Sequence, residues 1–305
     1  MPCILVTGGA GFIGSHVVEQ LLARGDDVLV IDDLSKGRRE NVPAQVPIHC
    51  VDIADAAALR EIDLPPLDAV VHCAAQSSVV VSTEDPARDL AVNVLGTINL
   101  LDVCTAHMCP MAFTSTGGAI YGEEAARPTP ETAITEPGAP YGASKAAAEI
   151  YIRLWARDAG IPHAILRLGN VYGPRQRGDG EAGVVAILAE RLKEGSPMTL
   201  FGHGDPTRDY VHVADVARAL IASIGTAGTF NIATGRETSV RDVYRLVRSA
   251  IPESSSPEPE LAPLRPGELH ASCLDITRAR DMLGWQPTIA VEDGIPSTVQ
   301  SLLGR

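Results

Sequence analysis

The stretch Cys3-Ile4-Leu5-Val6-Thr7-Gly8-Gly9-Ala10-Gly11-Phe12-Ile13-Gly14 decides the architecture. Cys3–Val6 reads as a strand buried on both faces, and Ile13–Ala23 has the pattern of an amphipathic helix. Glycines at 8, 11 and 14 stand between them. That spacing permits a tight turn, close backbone approach to a pyrophosphate, and close packing of helix on sheet. A glycine triplet alone is often only a turn. Here a strand precedes it and a helix follows, so the reading is a dinucleotide site that includes Gly8, Gly11, Phe12 and Ile13.

Working outward, the next strand, Val28–Ile31, runs into Asp32 and Asp33, and Asp32 stands 18 residues after Gly14. A carboxylate there accepts hydrogen bonds from an adenosine ribose and repels a 2′-phosphate, which favours NAD over NADP. Lys36, Arg38 and Arg39 follow, and could either tolerate a phosphate or simply line a solvated loop. Asp52 and Ile53 end a third strand, Ile48–Val51, where Asp52 could bind the adenine amino group. Ala74 and Ala75 end a fourth, Ala69–Cys73, where small side chains let backbone approach the cofactor. Asn93 falls within the helical pattern Asp89–Ala106. It is a candidate cofactor contact, although an Asn there more often makes a helix-packing hydrogen bond.

Further strands at Ala112–Ser115 and Ala164–Leu168 alternate with helices, including Ser144–Ala159. This predicts an α/β fold: a Rossmann-type doubly wound parallel sheet with a smaller C-terminal α/β substrate lobe. The expected division is 1–168 for the dinucleotide domain, with about 209–234 returning to it, and 169–208 plus 235–305 for the lobe. Within the lobe, Val184–Glu194 and Ser239–Ala250 read as helices, with Ser239 as N-cap, and Pro252–Pro266 as a loop.

The formal net charge is −13, and aromatics are 4% of the chain. An acidic surface with few aromatics disfavours nucleic acid and anionic membranes as partners. No run approaches the ~18 apolar residues that a bilayer span needs. Six scattered cysteines show no metal-like spacing to His, so free thiols, no metal and the cytoplasm are expected.

Tyr141-Gly142-Ala143-Ser144-Lys145 places a phenol and an amine four residues apart on one helix face. A phenol with a pKa near ~10 is a poor base at neutral pH. A neighbouring ammonium and an oxidised nicotinamide both favour phenolate. Ser115-Thr116 ends the strand before this helix.

With Thr-Gly-x-x-Gly-x-x-Gly, Tyr-x-x-x-Lys and that Ser/Thr, the chain resembles the extended short-chain dehydrogenase/reductases of the NAD-dependent epimerase/dehydratase family. Ser115–Gly122, Gly169–Gln176 and Arg208–Val213 resemble the UDP-glucose 4-epimerase branch, and the likeness runs from residue 4 to about residue 295. It implies tightly bound NAD and inversion of a UDP-sugar at C4 through a 4-keto intermediate. UDP-glucose and UDP-galactose are the default pair, with glucuronate or N-acetylhexosamine sugars close behind. Tyr141 would take the O4 proton, Lys145 would lower the phenol's pKa and hold the nicotinamide ribose, and Thr116 or Ser115 would hydrogen-bond O4. Asn170, Arg208, Arg265 and Glu268 match positions that hold the nucleotide. Arg208 could equally pair with Asp209 on the surface, and Arg265 could be a loop charge. Arg177 stands where relatives acting on glucuronate carry an arginine. Ser272 replaces a Tyr common in the family, leaving room for an N-acetyl group.

The resemblance also implies a homodimer through Asp89–Ala106 and Ser144–Ala159, whose apolar faces could otherwise be intrachain core. A 4,6-dehydratase would need Asp-Glu where Gly117-Gly118 stand. A 4-keto reductase would exchange its cofactor freely. An NAD-sensing binding protein would usually lack the Tyr or Lys.

Overall fold

The computed structural model describes residues 1–178, 183–265 and 269–304. Glu268 and the interior of the loop at 178–183 lie outside the described residues. The central sheet has seven parallel strands. Six are β1 (Cys3–Thr7), β2 (Asp27–Ile31), β3 (Ile48–His49), β4 (Ala69–His72), β5 (Met111–Thr116) and β6 (Ala164–Leu168), and the last is Gly228–Ile232. Their order across the sheet is Gly228–Ile232, β6, β5, β4, β1, β2, β3. The chain runs outward from β1 to β3 and then crosses back to β4, so the strand order reverses between β1 and β4. That switch point opens a crevice at the carboxyl edge, where ligands bind in such sheets.

Every residue of β4, β5 and β6 is buried, as parallel strands covered on both faces require. One face is covered by helices Phe12–Arg24 and Val213–Ala222, which bury Val17, Val18, Leu21, Val216 and Leu220. The other is covered by Gly96–Ala106 and Pro140–Ala159 through Leu100, Leu101, Cys104, Ala148 and Ile152.

A separate core belongs to the lobe. Helices Val184–Glu194, Val240–Ser249 and Val291–Leu302 meet there through Leu188, Leu192, Val243, Val247, Ile295 and Val299. Ser239 caps its helix by accepting the Asp242 N–H at 3.0 Å. Two features differ from expectation. Helix Thr277–Leu283 and Trp285, expected in the lobe, pack on the sheet's core, and the buried indole N–H donates to the Asp215 carbonyl at 2.9 Å. The segment read as a loop at 252–266 contains a strand, Glu260–Ala262, paired in parallel with Thr199–Phe201.

Residues 86–106 form one helical rod: Pro86–Leu90, a π-helical turn at Ala91–Leu95, and Gly96–Ala106. By length and composition it is the one helix among the described residues that could cross a bilayer, contrary to the sequence expectation. Of its most apolar window 44% is buried, and its polar residues Asp89, Asn93 and Thr97 point into the protein.

Candidate active site

The first βα turn is built for close approach. Gly8 has φ +66°, and a Cβ there would lie 2.6 Å from the Ala74 nitrogen at the end of β4. A Cβ on Gly14 would lie 2.1 Å from the Gly8 carbonyl oxygen. Turn, helix and neighbouring strand therefore meet backbone to backbone. The helix opens on Gly11, which has no side chain to cap it, so its first N–H groups and its dipole favour an anion such as a pyrophosphate. Phe12 and Ile13 are the first two residues of that helix and are half-buried. This cradle fits a dinucleotide.

Asp32 lies at the tip of β2, buried, accepting Ala10 N–H and Leu34 N–H at 2.9 Å each. Burial raises its pKa against the pull of these donors. Asp33 and Asp52, at the tips of β2 and β3, face a common cation. Arg88 donates to Asp52 at 2.9 Å and lies 3.9 Å from Asp33. Ile53 is pinned from behind, since a Cβ on Gly96 would collide with it and its carbonyl accepts from Asn99 at 2.8 Å. Arg38 lies 3.9 Å from Glu40, and Arg39 donates to the Val42 carbonyl.

Ala74 begins a buried relay that sequence reasoning missed, with Ala75 as the next residue. Ala74 N–H donates to Thr7 Oγ1 (3.3 Å), which meets His72 Nδ1 (2.8 Å); His72 Nε2 meets Thr97 Oγ1 (3.1 Å), which donates to the Asn93 carbonyl (2.7 Å). Because Thr97 gives its proton to Asn93, His72 must donate from Nε2 and accept at Nδ1. Burial, with Lys145 nearby, holds this imidazole neutral, its pKa well below the usual value. Nothing in the spacing of His72 signalled this.

Asn93 has a structural part. Its amide accepts from Gln76 N–H at 3.0 Å and donates to the Gln76 carbonyl (3.0 Å), Asp89 (3.1 Å) and Ser144 (3.0 Å). It ties the rod to helix Pro140–Ala159, which is the packing alternative of the sequence reading.

Helix Pro140–Ala159 opens with Pro140 at its first position, so Tyr141 stands in the first turn and Lys145 one turn later. Tyr141 N–H donates to buried Ser82 Oγ at 3.1 Å. Lys145 Nζ donates to the Thr114 carbonyl at 2.9 Å and sits 4.6 Å from the Phe113 ring centroid. Burial brings this amine down to about 8, although Cys73, Asp89 and Glu149 oppose the shift. Burial, with the charge of Asp89, pushes the Tyr141 phenol up to about 12, opposed by its hydrogen bond with Thr116.

Thr116, not Ser115, therefore faces Tyr141. Ser115 was a candidate on equal footing, but successive strand residues point to opposite faces. Its hydroxyl donates to Glu149 Oε1 at 2.7 Å, away from the phenol.

That Glu149 anchors a second buried network absent from the sequence reading. Arg167 grips it at 2.9 and 2.6 Å and also donates to Tyr121 (2.9 Å), whose phenol donates to Asn231 (2.8 Å). Burial would raise the Glu149 carboxyl, but the Arg167 hydrogen bonds and charge win and hold it below the usual range. An arginine in the apolar strand Ala164–Leu168 was the available signal.

On the substrate side, Asn170 lies beside the glycine pair after β5. A Cβ on Gly118 would sit 3.7 Å from its Oδ1. Arg208 donates to the carbonyls of Thr207 (2.8 Å) and Leu269 (2.7 Å), which fixes its guanidinium at the base of the 269–272 segment. It is not a surface partner of Asp209. That carboxylate is 1% exposed and accepts backbone N–H from Thr234, Gly235 and Leu274. Arg265 stacks on Phe201 at 3.8 Å, further out on the lobe, and Arg177 is exposed. Gly117, Gly118, Tyr121, Leu269 and Ser272 line one small cavity.

A doubly wound sheet with a glycine cradle at its switch point and a Thr–Tyr–Lys set at the tip of β5 defines a dinucleotide-dependent enzyme of the extended short-chain dehydrogenase type. Residues 4–233 match the NAD dependent epimerase/dehydratase family, and the chain belongs to it. It is similar to UDP-glucose 4-epimerase of Mycolicibacterium smegmatis, 42% identical over 97% of each chain. Among solved structures it resembles UDP-glucose 4-epimerase of Thermotoga maritima with UDP-glucose (TM-score 0.94, 42% identity, 99% of each chain). It also resembles that of Thermus thermophilus in complex with NAD (TM-score 0.89, 44% identity, 99% of each chain).

Proposed function

We propose that this enzyme interconverts UDP-glucose and UDP-galactose by inverting C4. The observation that carries the reading is Tyr141, hydrogen-bonded to Thr116 and one helical turn from buried Lys145, beside the glycine cradle. NAD, when bound, supplies the hydride acceptor and donor at the sugar carbon. Gly8, Gly11, Phe12 and Ile13 would take its pyrophosphate, Asp32 and Asp33 the adenosine ribose, Asp52 and Ile53 the adenine, and Ala74 and Ala75 its central stretch. Tyr141 accepts the O4 proton, Thr116 orients that hydroxyl, and Lys145 supplies a positive charge that favours phenolate. Asn170, Arg208, Arg265 and Glu268 hold the UDP, with arginine suited to bidentate phosphate pairing.

Purified enzyme given UDP-glucose should form UDP-galactose without added dinucleotide. Absence of product, with hydride passing only from added NADPH to a keto-sugar, would replace this reading with a reductase.

The small side chain of Ser272, beside Gly117 and Gly118, favours a second reading, a sugar range that includes N-acetylhexosamines. Ser272→Tyr should suppress turnover of UDP-N-acetylglucosamine and spare UDP-glucose. Arg177→Ala, assayed in parallel, tests UDP-glucuronate. We also read the chain as a cytoplasmic homodimer with no membrane or nucleic-acid partner. Leu90 and Leu95 on the rod and Ile150 on helix Pro140–Ala159 are 51%, 47% and 61% exposed, apolar side chains suited to contact with a second copy.

A further inference from the structure

The helical rod carries a buried carboxylate that the reaction above does not use. Asp89 is 1% exposed, and its Oδ1 accepts from two neutral amides, Gln76 Nε2 at 2.8 Å and Asn93 Nδ2 at 3.1 Å. Burial of a charge is unfavourable unless it is paired and hydrogen-bonded, and both of these donors to Asp89 are amides rather than cations. The π turn at Ala91–Leu95 begins two residues later and holds Asn93, and such turns occur often at functional sites. From Asn93 the bonds continue to Ser144 at 3.0 Å, and Ser144 donates to the Tyr141 carbonyl at 3.0 Å. Asp89 is therefore two hydrogen bonds from the helical turn that separates phenol and amine.

Resting on the reading of Tyr141 as the base, we propose that Asp89 is a positioning residue for the Tyr141–Lys145 pair. Its carboxylate, linked through Asn93 and Ser144 to the first turn of helix Pro140–Ala159, favours the proton on Tyr141 and the ammonium on Lys145 until positive charge enters the site.

A negative charge favours the protonated form of both groups, and Asp89 acts in that direction on each. The other groups facing the pair are Thr116 from β5, Cys73 from the end of β4, and Glu149 one turn beyond Lys145. His72 is neutral, and Arg88, next to Asp89 in sequence, is turned toward Asp52 and Asp33. The carboxylate is thus a counterweight. It discourages phenolate in the empty site and leaves ionisation to follow cofactor binding.

The test is Asp89→Asn, which keeps an acceptor for Gln76 and Asn93 while removing the charge. The tyrosinate absorbance of the NAD-loaded protein is titrated without substrate, and the Tyr141→Phe curve is subtracted. The Tyr141 transition should move down by about one pH unit. The acid limb of kcat should follow it, and the KM for UDP-glucose should stay put. Asp89→Glu, which retains the charge, should stay near wild type; should the Asn variant not fold, Asp89→Ser takes its place. An unmoved transition, or an equal shift in the Glu variant, overturns the proposal. Because the titration needs no turnover, an active Tyr141→Phe enzyme would contradict the base assignment separately.

Discussion

At the residue scale, the site turns on which hydroxyl faces Tyr141. The order Ser115-Thr116 left this open, because a one-residue slip exchanges the faces of a strand. Burial of β5 on both sides concealed the cue that an exposed face would have given. The contact of Thr116 with the phenol decides it, so Thr116→Val should slow kcat severalfold and move its acid limb to higher pH, since that hydrogen bond lowers the phenol's pKa. The corresponding Ser115→Ala change should alter stability while leaving the pH profile in place. Tyr141→Phe should reduce kcat by about 10²–10⁴, the range for loss of an acid–base group. The carboxylates Asp33 and Asp52 were legible at their strand ends, but their pairing with Arg88 was not, because the three come from segments remote in sequence. If Arg88 closes the adenosine end of the cleft, Arg88→Ala should release NAD faster on dilution, measured by the nucleotide remaining after gel filtration.

At the scale of elements, the strand–turn–helix that opens the chain was fully legible, since glycine spacing and apolar runs carry that information locally. Gly14→Ala would force a methyl to within 2.1 Å of the Gly8 carbonyl oxygen. It should lower thermal stability and strip the protein of NAD, read by the ratio of absorbance at 260 and 280 nm. The π turn at Ala91–Leu95 was illegible, because it adds a residue to a helix without changing the apolar pattern. Nor was the strand Glu260–Ala262 legible, since three residues give no usable period. A pH effect belongs to this scale as well. His163, just before β6, accepts the Met111 N–H of β5 at 3.0 Å, and burial lowers its pKa to about 4. Its folded pKa lies below the unfolded value of 6.5, so the stability it contributes is complete above pH 6.5 and lost as pH falls toward 4. Chemical denaturation of His163→Asn should show a flatter loss of stability across that window than wild type.

For the whole molecule, alternation of strands and helices announced the doubly wound sheet, and the change of pattern after Leu168 announced a lobe. What that pattern could not show was the return of Thr277–Leu283 and Trp285 to the sheet, which depends on one indole finding one carbonyl in a distant helix. The Glu149–Arg167–Tyr121–Asn231 network was equally hidden, since its members are spread from residue 121 to 231 and meet only after folding. It joins helix Pro140–Ala159, β6, the loop after β5 and the last strand, and so ties together one side of the sheet. The central claim is that this assembled cleft performs a closed redox cycle at sugar C4 on a resident cofactor. Supplying UDP-[4-²H]glucose alongside unlabelled free NAD and following the label by mass spectrometry tests it directly. The account predicts UDP-galactose that retains its deuterium, while deuterium lost to the free dinucleotide pool, or no galactose at all, would contradict it.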